Sequence, residues 1–100
     1  MTIWKFPLHL TDSQEVEMPK SAEVLTVQTQ KGSICLWATV ESESPRSKRS
    51  FRIIGTGHEF DGGLLAYVGT VQQGSFVWHV FERLEDFAGA PDQGAQASEE

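Results

Sequence analysis

"EVLTVQTQKGSICLWATV", Glu23 to Val40, decides the fold. In its first half Leu25 and Val27 alternate with Thr26 and Gln28, the period of two that gives a strand one apolar and one polar face. Lys31-Gly32 then makes a two-residue connection in which glycine supplies the positive φ of a tight hairpin. The second half is apolar on both sides, with Ile34, Leu36, Ala38 and Val40 alternating with Cys35 and Trp37. A strand of that kind belongs in the middle of a sheet, or under cover on both faces.

The same period extends in both directions. In "TIWKFPLHL" Trp4, Phe6, Leu8 and Leu10 form one apolar face, while Pro7, which cannot donate to a ladder, predicts an edge or bulged strand. "TDSQ" reads as a turn, and "QEVEMP" sets Val16 and Met18 against Glu15 and Glu17 before Pro19 closes it. Downstream, a polar loop "ESESPRSKR" precedes "SFRIIGT", "LLAYVGTV" and "SFVWHVFE", each enriched in β-branched or aromatic residues and none showing helical spacing. Seven short strands predict an all-β single domain, an antiparallel sandwich or small barrel spanning 1–87. The tail "FAGAPDQGAQASEE" has no periodicity, so 88–100 is expected to be a disordered acidic tail.

Composition narrows the function classes. The chain has 100 residues, 39% hydrophobic and 22% charged, and a net charge of −6. Residues 1–81 carry seven basic and eight acidic side chains, whereas 82–100 carry one and six, so the folded part is nearly neutral and general nucleic-acid binding is disfavoured. One cysteine, Cys35, allows no internal disulfide and suits a reducing compartment. No apolar run approaches the roughly 20 residues that span a bilayer, and "MTIWKFPLHL" lacks the features of a signal peptide; a cytoplasmic location without membrane contact is the expectation.

Two segments hold candidate chemistry. "GTGHEFDGG", Gly55 to Gly63, combines four glycines with His58, Glu59 and Asp61. A phosphate-cradling loop would lead into a helix, and this one leads into a strand pattern, so a turn needing backbone freedom competes with a working surface built on Thr56, His58, Glu59 and Asp61. "PRSKRSFR" places Arg46, Lys48, Arg49 and Arg52 within eight residues, either a solvated edge or a cationic site. A zinc site from His9, His58, His79 and Cys35 is formally possible, but no ligand spacing supports it. His79, between bulky groups, reads as a hydrogen-bonded histidine on a partly covered face. Cys35 lies in an apolar strand without a neighbouring cation, and the serines form no nucleophile elbow. No catalytic residue, metal or cofactor is therefore expected.

The blocks "TIWKFPL", "VEMPKSAEVLTVQTQKG", "CLWATV", "FRIIGTGHEF" and "LAYVGTVQQGSFVWHVFE" resemble a family of small proteins of unknown function found in bacteriophages and prophages. The resemblance covers residues 2–82, with "GTGH" and "FVWHVFE" its most specific parts. It implies a β-rich domain encoded by mobile elements and carries over no site residue. Trp4, Trp37, Tyr67, Phe76, Trp78 and Phe81 exceed what one thin core can hide. Together these readings lead to a non-enzymatic binding module that acts on a host protein or on another copy of itself through a surface joining the Gly55 to Gly63 loop to apolar and aromatic residues, in a counter-defence role. The alternative is a nucleotide-binding protein that grips phosphate with Arg46, Arg49, Arg52 and the His58 loop while an aromatic ring stacks on the base.

Overall fold

The computed structural model describes residues 1–84; the expected tail at 88–100 lies outside them. Seven strands follow one another: β1 (Thr2–Pro7), β2 (Ser13–Pro19), β3 (Glu23–Gln30), β4 (Ser33–Val40), β5 (Arg46–Gly55), β6 (Leu65–Gln73) and β7 (Phe76–Arg83). They form two antiparallel sheets, ordered β1-β4-β3 and β2-β5-β7-β6. The described residues contain no helix, so none is long and apolar enough to cross a membrane. Of the two architectures open to the sequence, the chain adopts the sandwich.

The deciding segment behaves as its pattern requires. Lys31 and Gly32 have φ of 52° and 81°, the paired positive values that let two strands reverse with the right twist. β4 takes the centre of its sheet, and Ile34, Leu36, Ala38 and Val40 are buried against the other layer. Val27 comes from β3, Met18 from β2, Phe51 and Ile53 from β5, Val80 from β7 and Val71 from β6, all within one core. The two strands that contain proline, β1 and β2, are both edges, where a missing N–H leaves no ladder bond unmade.

Three local readings are corrected. β1 stops at Pro7, and Leu8 N–H turns to the Ile34 carbonyl at 2.8 Å, so Leu10 leaves the apolar face and lies exposed. A bulge between Val24 and Thr26 hands the inward position to Val24 and leaves Leu25 exposed. β5 begins at Arg46, inside the segment read as a loop, because Arg46 to Arg52 pair residue for residue with Pro19 to Ser13 of β2. Ladder bonds need only backbone, so polar side chains do not prevent them.

Phe51 is fully buried at the centre, whereas Ile3 stands exposed on the outer face of β1. Phe51→Ala should therefore cost about 3–5 kcal/mol in urea unfolding and Ile3→Ala less than about 0.5 kcal/mol. Equal costs would contradict this division of the layers.

Candidate functional site

Period two sends alternate residues of β5 to opposite faces: Arg49, Phe51, Ile53 and Gly55 face the other sheet, and Arg52 and Ile54 point outward. Outward does not mean exposed. The Arg52 side chain is only 10% accessible. Its Nε and Nη2 donate to Asp12 Oδ1 at 3.3 and 3.0 Å, and its Nη1 donates to the carbonyl and Oδ1 of Asp61, both at 3.2 Å. Burial alone would lower its pKa, but the hydrogen bond and charge of Asp12, then those of Asp61, outweigh that and raise it, so the guanidinium stays charged.

Asp12 belongs to the β1–β2 loop and Asp61 to the β5–β6 loop, so one side chain clasps both. The backbone adds a second tie, since Ile53 N–H donates to the Asp12 carbonyl at 3.1 Å. On the far side the guanidinium lies 5.9 Å from the centroid of Phe60, which in turn packs 6.0 Å from Phe81. The β5–β6 loop is thereby folded back over the sheet.

Between the two clasped loops opens a cleft of about 240 Å³, lined by Leu10, Thr11 and Asp12 on one side and His58, Glu59 and Phe60 on the other, with Ile53, Ile54, Gly55 and Trp78 beneath. Its floor depends on Gly55. A Cβ there would stand 2.9 Å from the His58 ring and 3.1 Å from the Trp78 ring, so the glycine lets both rings close over the strand end. His58 N–H bonds the Gly55 carbonyl at 3.1 Å, and Gly57 turns the chain between them with φ of 88°. Trp78 Nε1–H donates to Gln73 Oε1 at 3.1 Å, and its ring stacks on Phe76 with centroids 5.5 Å apart. Phe76 itself is 60% exposed, at the same end of the sandwich as the cleft. The charged residues lining the cleft are Asp12 and Glu59; no cation lines it.

Beside this, on the outer face of the same sheet, His79 holds a hydroxyl at each ring nitrogen: Thr56 Oγ1 is 2.7 Å from Nε2, and Thr70 Oγ1 is 3.0 Å from Nδ1. Tyr67 extends the chain with its hydroxyl 2.6 Å from Thr70 Oγ1. Thr70 and His79 are direct cross-strand partners, so the register of β6 on β7 creates that contact. Among the described residues no group of three or more His, Cys, Asp or Glu side chains comes together as metal ligands. Cys35 is buried in the other sheet.

The sequence model of a domain of unknown function, DUF7352, matches residues 1–90. The chain belongs to this family. No curated protein and no solved structure matches it.

The structure divides the seven candidate residues of this DUF7352 chain. His58 and Glu59 line the cleft, Thr56 is hydrogen-bonded to His79, and Asp61 is bound to Arg52 at the cleft's outer edge. Of the three arginines only Arg52 joins them, and it is bound to Asp12 and Asp61, so no cationic site forms. Arg49 faces inward at the opposite end of the sandwich, where Nε and Nη2 donate to the two Glu82 carboxylate oxygens at 2.7 and 3.0 Å and Nη1 donates to the Ala22 carbonyl at 2.6 Å. Arg46 lies over the Trp4 ring at 5.2 Å. Asp12 and Phe60 carry no local sign of the site, because their neighbours come from other loops, whereas Phe76 and Trp78 belong to the set of bulky residues that exceeds what one thin core can hide.

Asp12 and Asp61 are 71% and 94% exposed, so water can replace Arg52 for them, whereas nothing replaces them for the buried guanidinium. Asp12→Ala with Asp61→Ala should therefore destabilise by about 1–3 kcal/mol, more than Arg52→Met does. The reverse order in chemical denaturation would show the arginine to be solvated.

Proposed function

We propose that this chain is a non-enzymatic binding module of phage or prophage type, which uses the loop end of its sandwich to hold a protein partner, host-encoded or a second copy. The observation that carries the reading is the pair of stacked rings, Phe76 on Trp78, with Phe76 standing out into solvent beside a cleft of mixed lining. Aromatic side chains exposed next to a concave surface supply large contact area at low entropic cost, and they anchor many protein interfaces. The mobile-element origin rests on the sequence blocks that resemble phage proteins, and a counter-defence role follows from that origin alone.

The nucleotide reading has less behind it. A phosphate needs free cations, and the guanidiniums of Arg49 and Arg52 are each committed to carboxylates, while the cleft presents Asp12 and Glu59. An anion entering there meets like charge.

Binding assays on Phe76→Ser and His58→Ala separate the two readings, because both residues are exposed: loss of His58 should shift stability by less than about 0.5 kcal/mol, and loss of Phe76 by about the 0.5–1.5 kcal/mol of its stack on Trp78. The expected outcome is a partner captured from host extract by the parent chain, confirmed with the purified protein, and lost with both variants. Adenine and guanine nucleotides should leave the melting temperature unchanged. A nucleotide that stabilises the chain by about 2.7 kcal/mol at a hundredfold excess over Kd, in the absence of any partner, would overturn the proposal.

A further inference from the structure

The four edges of the sandwich are not treated alike. On one flank, β1 carries Lys5 and Pro7, and β2 carries Glu15, Glu17 and Pro19, the charges and prolines that keep a sheet edge from pairing with another chain. On the other flank lie β3 and β6, held together where Gly69 admits the Val27 side chain; a Cβ at Gly69 would stand 2.8 Å from Val27. β3 has a single charge, Glu23 at its first residue, and β6, "LAYVGTVQQ", has neither charge nor proline over nine residues. Among the described residues no strand pairs with the outer side of β6. Leu25 and Tyr67, 54% and 63% exposed, help line a hollow of about 350 Å³ on this flank, in which the only charges are those of the Arg49–Glu82 ion pair.

We infer that β6 pairs antiparallel with β6 of a second copy, joining two four-stranded sheets into one of eight. The lack of charge selects that occupant. Two-fold pairing sets each strand against its own sequence, so a charged edge meets like charge, as β2 would with Glu15 and Glu17, and β6 meets none. The bulge between Tyr67 and Gly69 interrupts the strand early and leaves Gly69 to Gln73 as the regular stretch. With the two-fold axis at Val71, Thr70 faces the partner's Gln72, two polar side chains able to hydrogen-bond on the outer face. This surface lies on the β3–β6 flank and is separate from the loop end, so self-pairing and the capture of a host protein stand or fall independently.

Sedimentation equilibrium of the full chain from micromolar to millimolar concentration tests the pairing. The expected mass is twice the 11.1 kDa of one chain, falling to a single chain in Gln72→Lys, while Glu15→Lys on the opposite flank stays dimeric. If Gln72→Lys does not fold, amide hydrogen exchange in the parent decides instead. Between Gly69 and Gln73, the alternate amides that point away from β7 should exchange several-fold more slowly at the concentration where mass doubles than at the one where it does not, while those bonded to β7 change little. A parent that is monomeric throughout, a dimer that survives folded Gln72→Lys, or β6 exchange indifferent to concentration would each overturn the inference.

Discussion

A guanidinium withdrawn from water on the outer face of a sheet sets the shape of everything around it. Arg52 cannot lie nine-tenths covered unless acceptors are brought to it, and the acceptors come from two loops that are otherwise unrelated, Asp12 from one and Asp61 from the other. Meeting that demand folds the β5–β6 loop back over the sheet, seats Phe60 near the guanidinium and Phe81, and leaves a cleft between the two loops. Its role is positional. The carboxylates are well hydrated, so the net energy of the pairs is modest, but the geometry they impose fixes where His58 and Glu59 stand.

One strand supplies both ends of the molecule with their closing interactions. Arg49 and Arg52 are three residues apart on β5, an odd spacing, and so leave on opposite faces. Arg49 enters the space between the sheets and closes one end of the core through Glu82 and the Ala22 carbonyl. At the other end, where β5 runs out, Gly55 gives way to the rings of His58 and Trp78. The loop end thus rests on a residue with no side chain, and the aromatic surface next to it, Phe76 on Trp78, follows from the room that glycine leaves.

Much of this was legible in the residues. Alternation in "SICLWATV" and "EMP" marks strands whose buried sides match the core, and Lys31-Gly32 marks the hairpin by its backbone requirement alone. His79, flanked by large groups on both faces, reads correctly as a histidine with hydrogen-bond partners, although those partners, Thr70 and Thr56, are 9 and 23 residues away and had no local sign. The basic segment was the hardest to read. Four cations within eight residues look like a solvated or phosphate-binding stretch, because a linear sequence does not record which carboxylates will arrive. Leu25 was misplaced for a related reason: a bulge changes the phase of a strand without changing its composition.

Amide hydrogen exchange on the parent chain and on Arg52→Met, followed residue by residue, tests the clasp most directly. If one side chain holds both loops, the amides bonded within or to them, Thr11 and Ile53 at the β1–β2 loop and His58 and Leu84 at the β5–β6 loop, should lose protection together in the variant, while those of β4 and of β7 itself keep theirs. Loops that keep their protection without Arg52, or a loss confined to one of them, would contradict it.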